Sequence, residues 1–373
     1  MRILILTSSG GTAHDATAYS LKYWLKIWDP QGSVHVEHLL EKASLVMRTS
    51  VNIYNWIQKH WPWLHQVYWR LVEFEDLVKP GTVIFGRGFF IRLLRHFKPD
   101  LIISTHPHIN RGHFDLAKRV VGPSLRCITC CTELDGGFGF SRNWLTRKAD
   151  TFWALTSEVS EEVRRRGLSG DRVKVLGPLF DPSFEKVLET TPKESPHQNS
   201  LPLLVLGSGA NGSNNHVNLL NALLPLSGRI RVVALCGKRK STIDQIKSWS
   251  QEHPQLSIEA LGFQNPAAMA KLYRQAWAMV ARPGARTATE ALAAGCVLIF
   301  NGFGSTMPQE LLARRYFAAR SIDLAIENPE DLLAILLGWL ENPQEYDEIC
   351  NAYLKDPLKG CRDGIKKLIL ESA

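Results

Sequence analysis

The sequence predicts an α/β protein with two Rossmann-like domains that face an interdomain cleft. A chain of 373 residues is longer than one compact core normally supports. In both halves short apolar runs alternate with helical patterns, which is typical of parallel sheets covered by helices on both faces. A polar stretch with two prolines, residues 189–200, interrupts this alternation once and indicates a linker.

Each predicted strand is a short apolar run. The runs are 2–7, 101–104, 126–130 and 152–155 in the first half, and 201–206, 230–235, 257–261, 277–281 and 297–300 in the second. The predicted parts are a first domain at 1–187, a linker at 188–200, a second domain at 201–355, and a basic helix at 356–373 that returns to the first domain. Because ligands of open α/β sheets bind beyond the carboxyl ends of the strands, sites are expected in the loops that follow these runs.

The composition is that of a soluble globular protein, with 45% hydrophobic and 21% charged residues. No apolar run approaches the roughly 18–20 residues that span a bilayer, and the first run is too short for a signal peptide. Neither secretion nor membrane spanning is expected. The seven cysteines are an odd number and fit reduced thiols. We interpret Cys127, Cys130 and Cys131 as part of a buried strand, because no second metal-ligand pair follows them.

The net charge of +8 lies almost entirely in the first half. Residues 1–186 contain 25 Lys and Arg against 18 Asp and Glu, whereas residues 187–373 contain 19 against 18. This asymmetry indicates an anionic partner for the first half, either nucleic acid or an acidic membrane surface. No nucleic-acid-binding module is recognisable in the sequence, so a nucleic-acid partner is not expected.

The most informative stretch is 281–292, which reads Ala-Arg-Pro-Gly-Ala-Arg-Thr-Ala-Thr-Glu-Ala-Leu. A strand ends there, Pro-Gly makes a turn, and a helix begins, so unpaired N–H groups and the helix dipole favour a phosphate. Arg282 and Arg286 add positive charge suited to phosphate oxygens, and Glu290 can accept hydrogen bonds from a ribose diol. The residues alone fit an ordinary strand–turn–helix with surface arginines equally well.

A second loop follows the next strand. Residues 301–310 read Asn-Gly-Phe-Gly-Ser-Thr-Met-Pro-Gln-Glu, with two glycines before a helix that Gln309 and Glu310 open. Adjacent amide and carboxylate groups suit sugar hydroxyls, which need both donors and acceptors. The alternative is that both are ordinary residues of a first helical turn.

These stretches resemble the donor site of glycosyltransferase family 28, and most closely its monogalactosyldiacylglycerol synthase and processive diacylglycerol glucosyltransferase branch. The usual motif is Pro-Gly-Gly-x-Thr-x-Thr-Glu, followed later by Pro-Gln-Glu. Here Ala285 replaces the second glycine, Arg286 stands where an apolar residue is common, and Ala313 replaces an asparagine. The segments 3–14, 132–134, 177–179, 207–209 and 261–263 are also similar to family motifs, so the resemblance covers nearly the whole chain.

The resemblance implies a GT-B fold, a UDP-sugar donor held by the second domain, and an inverting transfer without a metal or other cofactor. The implied donor-binding residues are Gly11, Gly209, Phe263, Arg282, Gly284, Arg286, Thr287, Glu290, Gln309 and Glu310. No Asp-x-Asp sequence occurs in the chain, which disfavours a metal-dependent transferase of the other common fold. The helix dipole and the two arginines are expected to act as the charge sink for the departing diphosphate.

Two residues are candidates for acid–base chemistry. His14 ends the first glycine-containing loop, where an imidazole is suited to act as general base near neutral pH. Glu133 stands where the family usually has Asp, and is expected either to orient that imidazole or to act as the base itself. The alternative is that His14 is an ordinary helix-start residue and Glu133 a solvated loop acid.

The segment 51–98 is the predicted acceptor side. It holds four of the 11 tryptophans, and seven Lys and Arg against three Asp and Glu. Such residues favour a lipid–water boundary and anionic headgroups, although these aromatics could instead pack the domain core. The candidate acceptor and membrane residues are Trp56, Trp61, Trp63, Tyr68 and Trp69.

The sequence therefore predicts a transferase, peripheral on the cytoplasmic face of the inner membrane, that moves a hexose from UDP-glucose or UDP-galactose to a lipid hydroxyl, with diacylglycerol as the favoured acceptor. One alternative is transfer to another lipid or a small molecule. Another is a sugar-nucleotide-binding protein with little catalysis. A nicotinamide oxidoreductase is disfavoured because the full Gly-x-Gly-x-x-Gly motif is absent.

Overall fold

The computed structural model of the chain confirms the α/β class, with two six-stranded, fully parallel sheets. The structure describes residues 1–9, 12–43, 45, 48, 49, 53, 56, 86–194, 201–207, 215–303, 306–355 and 358–371. Over these residues, none of the helices has the length and apolar character that crossing a membrane requires.

The first sheet has the strand order β2-β1-β3-β4-β5-β6. Its strands are β1 (Arg2–Thr7), β2 (Ser33–His38), β3 (Leu101–Ser104), β4 (Arg126–Cys130), β5 (Thr151–Ala154) and β6 (Val173–Val175). The helices connecting them, over the described residues, are α1 (Thr12–Trp28), α2 (Leu39–Ala43), α3 (Arg87–Phe97), α4 (His113–Val121) and α5 (Ser157–Arg165). Short 3-10 turns lie at Pro107–Ile109, Arg142–Trp144 and Gly170–Arg172.

Alternate residues of β1 pack into two different cores. Leu4 and Leu6 pack with residues of α3 and α4, whereas Ile3 and Ile5 pack with residues of α1. Successive strand side chains point to opposite faces of a sheet, so a continuous apolar run such as β1 indicates burial on both faces. This burial fixes the end of β1, and therefore the loop that leads into α1.

The second sheet has the order β12-β11-β10-β7-β8-β9. Its strands are β7 (Leu203–Leu206), β8 (Arg231–Leu235), β9 (Ser257–Leu261), β10 (Ala276–Ala281), β11 (Val297–Asn301) and β12 (Leu324–Ile326). The remaining described helices are α6 (Pro182–Thr190), α7 (His216–Ala222), α8 (Lys240–Glu252), α9 (Pro266–Gln275), α10 (Ala285–Ala294), α11 (Glu310–Ala318), α12 (Pro329–Glu341), α13 (Pro343–Lys355) and α14 (Arg362–Leu370).

The chain divides into two compact units. The first comprises Met1–Pro182, Met307–Leu312 and Lys359–Ala373, and the second comprises Ser183–Thr306 and Ala313–Leu358. Helix α14 therefore belongs to the first unit, where its apolar side chains pack in the same core as β1. Arg126 of β4 donates hydrogen bonds to the carbonyls of Leu368 and Ile369, which caps the end of this helix.

The predicted linker begins inside a helix. Helix α6 runs to Thr190, and Pro192 two residues later cannot continue it. Arg274 then ties this region to the second unit, since its Nη2 donates to the Leu188 carbonyl at 2.7 Å and its carbonyl accepts from the Glu194 amide at 2.9 Å. The charged guanidinium supplies the hydrogen bond that a helix end otherwise lacks.

The interpretation of the clustered cysteines as strand residues is confirmed. Cys127 and Cys130 lie on β4, Cys131 follows it directly, and all three are buried free thiols. Burial raises the pKa of each thiol, so these residues act as core packing and not as reactive groups.

Candidate active site

His14 lies in the first turn of α1, beyond the loop that follows β1. Its Nδ1 pairs with the Oγ1 of Thr132, a residue just after β4, at 3.1 Å. Its ring lies edge-on to that of His106, which follows β3, with 4.6 Å between the centroids, and 5.9 Å from the ring of Trp144. Because β1, β3 and β4 are neighbours in a parallel sheet, their carboxyl ends bring these side chains together.

Desolvation keeps the His14 imidazole neutral. Burial lowers the pKa of His14 to about 4, and a hydrogen bond with the Thr105 backbone opposes this effect only in part. Burial, followed by the neighbouring His14, also holds the pKa of His106 well below its usual range. A neutral imidazole carries a lone pair at pH 7, which is the form that a general base requires.

The tautomer of His106 follows from its contacts. Its Nδ1 accepts a hydrogen bond from the His108 backbone amide at 3.3 Å, so the neutral ring holds its proton on Nε2. Asn143 Nδ2 in turn lies 3.3 Å from Nδ1 of His108. His106 was not among the residues predicted from the sequence. The available signal was Thr-His-Pro-His at 105–108, directly after a predicted strand at the edge where the base was expected.

The carboxyl group of Glu133 has a pKa close to neutral pH. Burial raises the pKa of Glu133 to about 7, although the side chain keeps part of its surface exposed. The side chain that orients the His14 imidazole by a hydrogen bond is that of Thr132, the residue before Glu133. Thr132 is therefore a second candidate site residue that was not predicted from the sequence, although it lies in the 132–134 segment that is similar to a family motif.

Two other carboxylates fix the chain on either side of the loop after β1. Asp15 Oδ1 accepts from Thr7 Oγ1 at 3.0 Å and pairs with His38 Nε2 at 3.1 Å, and this hydrogen bond raises the pKa of His38. Glu41 Oε1 accepts from the Ser9 amide at 2.6 Å. These contacts position the first turn of α1, and with it His14.

In the second unit, α10 begins at the carboxyl end of β10 with an open N-terminus. Gly284 is the N-cap, has an extended backbone, and no side chain caps the helix. Among the described residues, a Cβ placed on Gly284 would meet no atom within 4 Å, so their side chains leave the first-turn amides open to close approach. Thr287 lies in this first turn and is partly exposed. Such a terminus suits a phosphate group.

Glu290 is engaged by protein groups. Its Oε1 accepts from Arg286 Nε at 2.6 Å, and its Oε2 accepts from the hydroxyl of Tyr273 at 3.3 Å. From the sequence, Glu290 was predicted to bind a ribose diol and Arg286 to bind phosphate. The structure shows in addition that the carboxylate orients the guanidinium through one nitrogen. Tyr273, nearly fully buried on α9, was not foreseen.

Arg282 and Phe263 both follow the carboxyl ends of strands in the second sheet. Arg282 follows β10 and donates from Nη1 to the Phe303 carbonyl at 2.8 Å, which ties it to the loop after β11. Phe263, two residues after β9, is 61% exposed, with Lys238 Nζ 5.4 Å from its ring centroid. An exposed aromatic ring beside a cation is suited to stack on a nucleobase.

Gln309 and Glu310 lie in the Met307–Leu312 segment that belongs to the first unit. Glu310 is nearly fully buried, and its Oε2 accepts from the Met307 amide at 2.8 Å. Gln309 Nε2 lies 3.8 Å from the sulfur of Met307. Glu310 thus closes the turn that begins α11, as a capping carboxylate does.

Several predicted site residues lie outside the described residues, namely Gly11, Gly209, Trp61, Trp63, Tyr68 and Trp69. Of the acceptor-side candidates, the structure describes Trp56, whose side chain is 47% exposed.

Family models match both halves of the chain. Residues 14–179 match a model described as monogalactosyldiacylglycerol (MGDG) synthase, and residues 203–344 match the glycosyltransferase family 28 C-terminal domain. The chain belongs to glycosyltransferase family 28. Membership confirms the predicted resemblance and makes this protein a hexosyltransferase. The first match includes His14, His106 and Thr132, and the second includes α10.

The chain is also similar to curated relatives over most of its length and to solved structures in its fold. The processive diacylglycerol beta-glucosyltransferase of Staphylococcus epidermidis is 23% identical over 97% of this chain and 92% of its own. The Bacillus subtilis protein of the same name is 25% identical over 89% and 85%. Acinetobacter baumannii MurG superposes with a TM-score of 0.63, 16% identity and 99% coverage of both chains. The UDP-GlcNAc 2-epimerase of Neisseria meningitidis gives 0.60, with 14% identity over 100% and 99% of the chains. The predicted GT-B fold is confirmed, but the fold alone does not set the reaction.

Proposed function

We propose that this protein transfers a hexose from UDP-glucose or UDP-galactose to the free hydroxyl of diacylglycerol, working peripherally at the cytoplasmic face of a membrane. The observation that carries the proposal is the neutral His14 imidazole, held by Thr132 and His106, inside the part of the chain that matches the MGDG synthase model. The names of relatives that align over most of the chain support the acceptor class.

In the proposed reaction the acceptor oxygen attacks C1 of the hexose, the bond from C1 to the diphosphate oxygen breaks, and the configuration at C1 inverts. The hydroxyl proton passes to His14. In this proposal His14 donates its Nδ1–H to Thr132 Oγ1, 3.1 Å away, and Nε2 therefore carries the lone pair that takes the hydroxyl proton. His106 presents only Nε2–H as a donor, so it suits an acceptor oxygen next to the base.

The leaving UDP takes the electron pair of the broken bond and gains negative charge. We expect the open N-terminus of α10, together with Arg282 and Arg286, to stabilise that charge, as preorganised dipoles and cations do. The helix end and the two arginines would supply positive charge, as a divalent cation does in metal-dependent transferases. We therefore propose transfer without a metal. Phe263 is the candidate stacking partner for the base.

The test of the proposal is UDP release by the purified full-length chain, given UDP-glucose or UDP-galactose and vesicles with or without diacylglycerol. We expect release that depends on diacylglycerol, with a glycolipid product, in the presence of EDTA. Tight UDP binding without release on any acceptor would replace the transferase by a binding protein. Release that needs a divalent cation would overturn the metal-free mechanism.

The raised pKa of the Glu133 carboxyl group should make the free energy of unfolding depend on pH. Its pKa rises from 4.5 in the unfolded chain to about 7 in the fold, so between these values the folded state binds a proton that the unfolded state does not. Stability therefore falls as pH rises through this window, by about 3 kcal/mol in total. We expect Glu133→Gln to raise the free energy of unfolding by about that amount at pH 8 and to leave it unchanged at pH 4. Urea titrations at both pH values measure this, and equal effects at both would contradict it.

Replacing Gly284 by Ala is expected to weaken binding of the donor without destabilising the fold. Its extended backbone tolerates any residue, and a Cβ meets no atom of the described residues within 4 Å. Gly284→Ala should change the melting temperature little, because the weaker N-cap preference of Ala is offset by the lower entropy of its unfolded chain. The methyl group would occupy the approach to the first-turn amides, and loss of one charged hydrogen bond weakens UDP binding by about tenfold or more. Calorimetric titration with UDP checks this, and wild-type affinity would move the diphosphate away from this helix end.

A further inference from the structure

Helix α1 is apolar on two opposite faces. Its inner face, Ala18, Leu21 and Leu25, is fully buried in the core under the first sheet. Its outer face carries Tyr19, Tyr23 and Ile27, which are 38%, 46% and 56% exposed. These three residues are spaced by four and therefore form one stripe along the helix. A surface helix normally places polar residues on its outer side, so this stripe indicates a partner.

The charges around the stripe identify the chemistry of that partner. Lys22 and Lys26 flank it, and Lys22 Nζ lies 5.9 Å from the ring centroid of Tyr19. The one carboxylate of α1, Asp15, is turned to Thr7 and His38. Tyrosines with lysines beside them favour the boundary between hydrocarbon and anionic headgroups.

A second helix adds aromatic and cationic groups next to the stripe. Trp24 of α1 is partly exposed, and the guanidinium of Arg362, on α14, lies 5.3 Å from its ring centroid. Trp28 stacks on Trp24 with 5.4 Å between centroids. The surface is thus aromatic and basic over two helices of one unit, and an anionic bilayer complements both properties.

The stripe and the candidate base lie on the same helix. His14 lies in the first turn of the helix whose outer face, from Tyr19 to Ile27, is exposed. His14 itself lies on the inner face, in line with Ala18, Leu21 and Leu25, so a bilayer on the outer face would lie about one helix diameter, roughly 10 Å, from the base.

We propose that the outer face of α1, formed by Tyr19, Tyr23 and Ile27 with Lys22 and Lys26, docks on an anionic lipid bilayer. The choice of partner rests on the proposed function. Its residues differ from those of the 51–98 segment, which was predicted from the sequence to contact the membrane.

The experiment is co-sedimentation of the full-length chain with vesicles that contain no acceptor, so that binding is read without catalysis. Vesicles are made of phosphatidylcholine, with or without phosphatidylglycerol. We expect the triple variant Tyr19→Ser/Tyr23→Ser/Ile27→Ser to bind at least about tenfold more weakly, because three apolar side chains leave the interface. The matched control is Val175→Ser, an equally exposed apolar residue on edge strand β6 of the same unit, which should bind as the wild type does.

The double variant Lys22→Gln/Lys26→Gln tests the charges. It should weaken binding to the anionic vesicles by about 30-fold and change binding to phosphatidylcholine little. Circular dichroism checks that each variant is folded. If the triple variant unfolds, the single variants Tyr23→Ser and Ile27→Ser replace it, and each should lose part of the vesicle binding. The proposal would be overturned if these variants bound vesicles as tightly as the wild-type protein, or if the wild-type protein did not bind vesicles at all. It would also be overturned if the wild-type protein formed a dimer without lipid and the variants dissociated that dimer. Vesicle binding through α1 without transfer to any acceptor would retain the surface and reject the proposed function.

Discussion

Replacing His14 by Ala is expected to lower kcat by about 10²–10⁴-fold, the usual contribution of a general base. The imidazole is neutral at pH 7 and is held by Thr132 and His106, so it is ready to accept the hydroxyl proton. Because the pKa of His14 is about 4, the acid limb of kcat/KM should lie well below pH 6. UDP release at saturating diacylglycerol, followed between pH 4 and pH 9, measures both effects.

The control for this prediction is donor binding. His14 belongs to the first unit, whereas α10 belongs to the second, so the affinity of the variant for UDP should stay within about twofold. Thr132→Val keeps the shape of the side chain and removes the hydroxyl. It should reduce kcat less than the loss of His14 does, because it frees the imidazole without removing it. A His14→Ala enzyme with near-wild-type kcat would assign the base elsewhere, and an acid limb near pH 7 would point to Glu133.

The sequence predicted the interior strands of both sheets and missed strands at their edges. The continuous apolar runs at β1, β3, β4, β10 and β11 are buried on both faces, and that burial is what makes them visible in the sequence. The missed strands are β2, β6 and β12, which all lie at sheet edges. Edge strands pair on one side and remain partly exposed, so they are short or polar.

The candidate site was predictable where it depends on local sequence. His14 and Gly284 each follow a strand and open a helix, and that arrangement is readable from the order of residues. The contact of His14 with His106 joins the ends of two strands far apart in the chain. It depends on β1 pairing with β3, which the sequence does not specify.

Arg286→Ala is expected to weaken UDP binding by about 10- to 100-fold, since a hydrogen bond to a charged group contributes about 1.5–3 kcal/mol. It should also destabilise the second unit. Arg286 and Glu290 are both mostly buried and lie 2.6 Å apart, so the variant leaves the Glu290 carboxylate with only the Tyr273 hydroxyl of its two partners. Removing one member of such a pair costs about 3 kcal/mol. Calorimetry with UDP and urea unfolding separate the two losses.

The double variant Arg286→Met/Glu290→Gln distinguishes a donor-binding arginine from a structural one. It removes both charges and keeps similar volumes, and replacing a buried pair by uncharged groups is often close to neutral for stability. We therefore expect the double variant to regain most of the free energy of unfolding lost by Arg286→Ala and none of the affinity for UDP. If UDP affinity returns together with stability, the guanidinium serves only to neutralise Glu290. The diphosphate would then depend on the helix end and Arg282 alone.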